Sequence, residues 1–310
     1  LLIFERWGTW RYPENSGSAD CAVAAGWVGV TADWEWDETL FAGSAAYYRR
    51  GRLPYPPGLA EVLGAALGLD GRGRLVDVGC GPGTLALLLV ELFGEVVGVD
   101  PDGGMIAEAE RAAAAQGVSG KARWVRARAE ELPAGLGTFT VAAFAQSFHW
   151  MDRDLVATTV RAMLRPGGAL VHISDLKSQT RTAEGLPHPL VPDAAVGDLV
   201  RRYLGEVRRA GAGTLRHGTP GGEATVLLRA GFSGPERHVV PGGQVLERSQ
   251  DDVVAGVFSM SFSAPHLFGA HLDDFEAELR RLLRAVSPSG LFSARQPGTE
   301  VFVWRAGRRD

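Results

Sequence analysis

The chain has 310 residues, a formal net charge of −4 and 45% hydrophobic residues, which suits one large α/β domain or a core with a smaller cap. The acidic balance, without a basic run, excludes a nucleic-acid backbone as the main partner. No apolar run reaches the ~20 residues of a membrane helix, and Leu1-Leu2-Ile3-Phe4 breaks at Glu5 without the basic stretch of a signal peptide.

The two cysteines, Cys21 and Cys80, make no disulfide framework. The expected setting is therefore a reducing cytoplasm, with a small molecule rather than nucleic acid or membrane as partner and the oligomeric state left open. Residues 1–33 are rich in Trp and Gly and carry no period. They read as an extension, with residues 1–29 dispensable and Val30 the expected start of the native chain. The segment from Phe41 to Pro56 contains Tyr48 and Arg52 in a Y-x-x-x-R-x-x-Y-P arrangement. Pro57 then opens a helix through Leu59, Val62, Leu63, Ala66 and Leu67, with Gly68 at its end.

Leu75 to Val78 reads as a buried strand that runs into Gly79-Cys80-Gly81-Pro82-Gly83, and the helix pattern Leu85 to Val90 follows. Such a turn brings backbone N–H groups and a helix N-terminus close to a ligand, because no Cβ stands in the way. Glu95 to Val99 reads as a second strand, with Asp100 at its carboxyl end. Strand, glycine turn, helix, strand and terminal acid make a nucleotide-binding half of a doubly wound sheet. The glycines at 79, 81 and 83 differ from the G-x-G-x-x-G dinucleotide pattern, since Thr84 stands where its last glycine would be.

Pro101 to Ala115 is alanine-rich and helical, with Met105 and Ile106 on its first turn. Ala122 to Arg128 alternates like a third strand and ends in Ala129-Glu130-Glu131-Leu132-Pro133. Phe139 to Gln146 is a nearly continuous apolar run, as a central parallel strand should be. It delivers Ser147-Phe148-His149-Trp150 to the sheet edge where ligands bind. Asp152 or Asp154 caps a helix through Met163, Leu164-Arg165-Pro166-Gly167-Gly168 ends it, and Ala169 to Ser174 is a fifth strand. Lys177 to Pro192 reads as a loop. Leu199–Val207, Gly222–Ala230, Asp252–Phe258 and Leu272–Val286 read as helices, and Arg237–Val240 and Glu300–Arg305 as the last strands.

These motifs resemble class I S-adenosylmethionine-dependent methyltransferases of the small-molecule kind, such as the bacterial trans-aconitate and natural-product enzymes. The resemblance covers most of residues 41–175. It implies a Rossmann-like, seven-stranded, mostly parallel α/β sheet with helices on both faces and a helical substrate cap. The implied division is an extension over 1–33, a cofactor-binding core over 34–176, and cap helices with the closing strands over 177–310. It implies S-adenosyl-L-methionine as cofactor, with Asp77, Gly79, Cys80, Gly81 and Gly83 along its methionine part. Asp100 and Pro101 would lie at the ribose, Met105 at the adenine, and Gln146 at the edge of the sheet. Tyr48 and Arg52 would close over the cofactor, the guanidinium meeting a carboxylate. Arg128 replaces the family's usual acid, so the adenine acceptor moves to Glu130, with Ala129 donating through its backbone.

In-line methyl transfer needs alignment, exclusion of water and, for some acceptors, a base. His149 is the candidate base, as an imidazole at the edge of a central strand. No metal-ligand spacing is present. His188, His217, His238, His266 and His271 are scattered, and His266 and His271 fall in the cap. Phe258, Met260, Phe262, Leu267 and Phe268 are expected to form an apolar pocket for a small, largely apolar acceptor. Two rival readings stay open at this point: a cofactor-binding protein without methyl transfer, and a nicotinamide oxidoreductase on the same half-fold.

Overall fold

The structure is a computed structural model that describes residues 37, 39–176, 185–206, 209–210, 213–214 and 222–307. The expected extension over 1–33, the first half of the loop expected over 177–192, Cys21 and His217 lie outside the described residues.

The core is built on β1 (Arg74–Val78), β2 (Glu95–Asp100), β3 (Ala122–Arg126), β4 (Phe139–Ala145) and β5 (Leu164–Asp175). Two two-residue strands, β6 (Arg209–Ala210) and β7 (Gly213–Thr214), form a small ladder apart from the main sheet, and β8 (Phe232–Val240), β9 (Val245–Ser249), β10 (Leu291–Arg295) and β11 (Thr299–Ala306) follow. The seven-stranded sheet runs β3-β2-β1-β4-β5-β11-β8. Strands β1 to β5 pair in parallel, while β11 is antiparallel to both β5 and β8. The order reverses between β1 and β4, the switch point beyond which a doubly wound sheet binds its ligands.

Parallel strands covered on both faces must be apolar throughout, and Leu75, Val76, Val78, Ala142, Ala143 and Phe144 are all buried. On one face, α2 (Leu59–Leu67) and α3 (Thr84–Leu89) pack Leu59, Leu63, Leu85 and Leu89 onto Val96, Val141 and Val171. On the other, α5 (Arg153–Met163) and α7 (Glu223–Arg229) set Val156, Val160 and Leu227 against Val76, Phe144 and Leu170. Short acidic side chains start two of the core helices. Asp102 accepts from Gly104 N and Met105 N at 2.7 and 2.9 Å ahead of α4 (Gly103–Ala115), and Asp152 accepts from Leu155 N at 3.1 Å ahead of α5.

A second body packs on the arm that precedes the core. It is made of α6 (Asp193–Leu204), β9, α8 (Gln250–Phe258), α9 (Leu272–Val286) and β10, with β9 and β10 paired antiparallel. The helix α1 (Ala45–Gly51) lies against α8. Several boundaries differ from the sequence reading. The R-P-G-G turn opens β5 instead of preceding it, α6 begins at Asp193, and β8 begins at Phe232. The cap aromatics are the larger correction. Phe258, Met260 and Phe268 are buried, and Phe258 and Phe268 pack with Phe275 and Phe292 in a core belonging to the cap itself. Met260, Phe262, Leu267 and Phe268 likewise do not reach the cleft described below. Large apolar side chains in a loop-like stretch read the same whether they face a ligand or one another.

Trp124 on β3 packs against Gly83 of the turn and Gly98 of β2, and a Cβ at Gly98 would overlap its indole and come within 2.9 Å of Cys80 Sγ. Gly98→Ala is therefore expected to cost about 1–3 kcal/mol, the usual price of overpacking. This is read as a lower urea midpoint at unchanged slope. An unchanged midpoint would mean that the indole yields freely.

Candidate functional site

The β1–α3 turn bends through left-handed glycines, with φ of +69° at Gly79, +54° at Gly81 and +74° at Gly83. Each has a different neighbour. A Cβ at Gly79 would lie 2.5 Å from Ser147 Cβ, one at Gly83 would run into Trp124, and one at Gly81 would meet no atom within 4 Å. The turn is laced to the end of β2. Gly79 N–H and Cys80 N–H donate to Val99 O at 2.8 and 3.1 Å, and Gly81 N–H donates to Asp100 Oδ2 at 2.8 Å. Those amides are satisfied within the chain, which corrects the expectation of bare donors. What the turn offers a ligand is close approach over Gly81.

Asp100 is held from two sides, because Asp102 N–H donates to its Oδ1 at 2.9 Å. Burial raises its pKa to about 6, while the Asp102 and Gly81 amides pull it back and the Asp102 charge adds a little. Asp77, at 1% exposure, is more extreme. Neither carboxylate oxygen reaches a full hydrogen bond. Burial raises its pKa to about 7, with the Ala86 amide opposing the rise and the Asp100 charge adding to it. Nearby, burial and then the Asp77 charge push the Tyr55 phenol well above its ordinary range.

A cleft of about 750 Å³ of empty space opens at this edge. It is lined by nine of the residues expected from sequence: Tyr48, Gly79, Gly81, Asp100, Pro101, Met105, Ala129, Glu130 and Gln146. Asp77, Cys80, Gly83, Arg52 and His149 do not line it. Cys80 is buried, with its thiol pushed far up by burial and its Sγ 3.4 Å from Gly81 O. The Arg52 guanidinium stacks 4.8 Å from the Tyr48 ring centroid and donates through Nη2 to Ser259 O at 3.0 Å, while its Nε–H is buried without a partner. Glu130 has one oxygen engaged already, as Oε1 accepts from Asp152 N–H at 2.8 Å. His149 stands on the turn after β4, with its ring centroid 4.4 Å from that of Trp150.

Gln146 adopts φ +56°, a left-handed conformation uncommon outside glycine, and such strain gathers at functional sites. Its Nε2 donates to Asp175 Oδ2 at 3.1 Å. Sequence reasoning missed an aromatic corner of the cleft. Phe41 meets Trp150 edge-on at 6.1 Å and Tyr48 at 6.5 Å, and all three rings line the cleft together with Met151 and Arg128. Trp150 follows His149 directly, and only the histidine carries an obvious chemical signal. Of the cap histidines, His266 Nδ1 lies 3.0 Å from Ala42 O, and His271 lies 3.9 Å from Asp274. Among the described residues no single helix is long and apolar enough to cross a membrane.

Residues 75–168 match the methyltransferase-domain family. Over 135 residues the chain is 38% identical to an uncharacterized methyltransferase of Mycobacterium tuberculosis, the match covering 43% of this chain and 51% of that one. Over 111 residues it is 35% identical to a ubiquinone biosynthesis O-methyltransferase of Rhizobium etli, covering 36% and 44%. The chain thus spans about half the length of these relatives. It overlays an S-adenosylmethionine-dependent methyltransferase of Thiobacillus denitrificans, solved in complex with S-adenosyl-L-homocysteine, at a TM-score of 0.45 and 18% identity, covering 86% and 97%.

Asp77 and Asp100 both have folded pKa values above the ordinary 3.8. Between about pH 4 and about pH 7 the folded chain therefore binds more protons than the unfolded one, and stability from these groups falls as pH rises through that window. Asp77→Asn removes the charge that burial opposes. Its urea midpoint is expected to gain on wild type as pH rises from about 4 to about 7. A difference independent of pH would clear Asp77 of this role.

Proposed function

We propose, from the premise that residues 75–168 are a class I methyltransferase domain that uses S-adenosylmethionine, that the whole chain transfers a methyl group to a small, largely apolar acceptor. The observation that carries this reading is the Gly81–Asp100 pair. The turn leaves open space above Gly81, and its own amide fixes the carboxylate of Asp100 at the wall of the same cleft.

The residues fit the cofactor on two further counts. Each Asp100 oxygen accepts one backbone N–H and keeps a lone pair for a ribose hydroxyl. The buried, unpartnered carboxylate of Asp77 suits the cationic amino-acid end. In this reading Gly79, Cys80, Gly83 and Pro101 shape the floor, and Met105 and Ala129 pack on the adenine. The second oxygen of Glu130 accepts from the base, since Arg128 carries donors only. Tyr48, Arg52 and Gln146 close the methionine end.

When bound, S-adenosylmethionine supplies an electrophilic methyl group on its sulfonium. The chain supplies alignment and dryness, through the strand ends and the Phe41–Trp150 corner. That aromatic corner supports a largely apolar acceptor of the small-molecule kind, and kinship with an O-methyltransferase supports a hydroxyl as the accepting group. For a hydroxyl acceptor, His149, which stands beside the cleft-lining Trp150 but not in the lining itself, is the proposed base and takes the proton through one bridging water. We take 34–176 as the cofactor-binding core and 177–310 as the cap with the closing strands.

Calorimetric titration with S-adenosyl-L-homocysteine tests the assignment. A charge-assisted hydrogen bond is worth roughly 1.5–3 kcal/mol, so Asp100→Ala should bind about ten to a hundred times more weakly. A loss under about threefold sinks the Asp100 assignment. Transfer of label from S-adenosylmethionine to acceptor tests the activity. His149→Gln should lower turnover at least ~100-fold with cofactor affinity unchanged. Near-normal turnover would leave catalysis to proximity and desolvation.

A further inference from the structure

The arm that lines the cleft is fastened to the cap. Tyr48 lies on α1 and Phe41 in the turn that leads into it, and both line the cleft. Ser44, fully buried, donates through Oγ to Phe258 O at 2.8 Å. Arg52 donates to Ser259 O at 3.0 Å. Arg50 pairs with Asp252 at 2.7 Å and Asp251 at 3.3 Å on the first turn of α8. A Cβ at Gly51 would overlap the Ala255 carbonyl, so α1 and α8 touch backbone to backbone. Toward the core turn the arm has a longer bond, from Arg49 Nη1 to Pro82 O at 3.5 Å.

The centre of this joint is Arg248, at the end of β9 and only 9% exposed. Its Nη2 donates to Arg50 O at 2.8 Å, to Gly51 O at 3.1 Å and to Asp252 O at 2.9 Å. The first two are carbonyls of the last turn of α1, which a helix cannot satisfy by itself and at which a cation is favoured. The third starts α8. One buried guanidinium thus joins the beginning of α8 to the end of α1, whose Arg50 lies 198 residues from it in sequence.

We propose that Arg248 is the positioning residue of the cleft's lid: it holds α1 to the β9–α8 corner, so that arm and cap move as one body and the cleft opens only when the cap lifts. The proposal deepens the methyltransferase reading and rests on it for the identity of the ligand. It assigns control of cofactor entry and product release to a residue that touches neither.

Hydrogen exchange on the full chain, with and without added S-adenosyl-L-homocysteine, tests it. In Arg248→Met without ligand, exchange across 41–52 is expected to rise at least about tenfold while 74–89 stays as in wild type. With ligand, affinity should fall about tenfold, and the protection that wild type gains across 41–52 should be lost while that at 79–84 is kept. Arg248→Lys, with three donors for three carbonyls, should keep most of the wild-type protection. Unchanged exchange across 41–52 overturns the proposal. So does an equal rise across 74–89, which would mark a general loss of stability, and so does a lysine variant that behaves like methionine. If wild type fails to bind S-adenosyl-L-homocysteine, the functional reading falls, and the ligand-free exchange still decides the joint.

Discussion

The site depends on the bond from Gly81 N–H to Asp100 Oδ2, at 2.8 Å. It ties the turn after β1 to the end of β2, and it forms only because φ at Gly81 is +54°, where a side chain would be strained. The Gly79 and Cys80 amides strengthen the same joint by bonding to Val99 O. The acid is thereby fixed by backbone groups, with no flexible side chain to align. That is the kind of rigidity a binding constellation needs. Trp124 presses on the joint from β3, over both Gly83 and Gly98, so the sheet's third strand also enforces the turn.

This part of the molecule was legible because each signal is local. Leu75 to Val78 is short and, apart from Asp77, apolar, the glycines mark a turn that other residues cannot make, and Asp100 falls where an apolar run stops. The rest was hidden because it rests on distant partners. Tyr47-Tyr48-Arg49-Arg50 has no apolar period, and α1 is secured by Arg248 and by the Phe258 and Ser259 carbonyls, all far away in sequence. Strands β9 and β10 were unread for a similar reason. They are five residues each, one of them carries Glu247 and Arg248, and their pairing partners lie across α8 and α9. The aromatic run of the cap was legible as apolar but not as core. Only the fold places Phe268 against Phe275, with ring centroids 4.0 Å apart.

The two bodies divide the work between them. The core holds Asp100 with backbone bonds of its own, and among the described residues its turn is laced to β2 without a contact from the cap. The arm, in contrast, has its buried serine, its glycine contact and its arginine pairs directed at the cap. Exposed ion pairs such as Arg50–Asp251 contribute little alone, since solvent screens them. Arg248 differs because its surroundings exclude water. Burial lowers its pKa, with Asp252 restoring part of the loss, and its net effect depends on the carbonyls it bonds.

Burial of Asp77 and Asp100 opposes folding at neutral pH, and the surrounding packing has to outweigh it. The joint between β1 and β2 is therefore stable despite its acids rather than because of them. Phe139 and Phe144 of β4 and Phe148 just after it are all at most 1% exposed, and Val76, Val97 and Val99 of the same core likewise. Apolar burial of that extent, at roughly 25 cal/mol per Å², can carry a strained and charged edge. A cation brought beside Asp77 would lower its pKa again, so the same carboxylate that weakens the fold would strengthen binding. Stability and affinity then pull in opposite directions at one residue, and the apolar layers on either face of the sheet supply the stability that lets the chain keep an acid there.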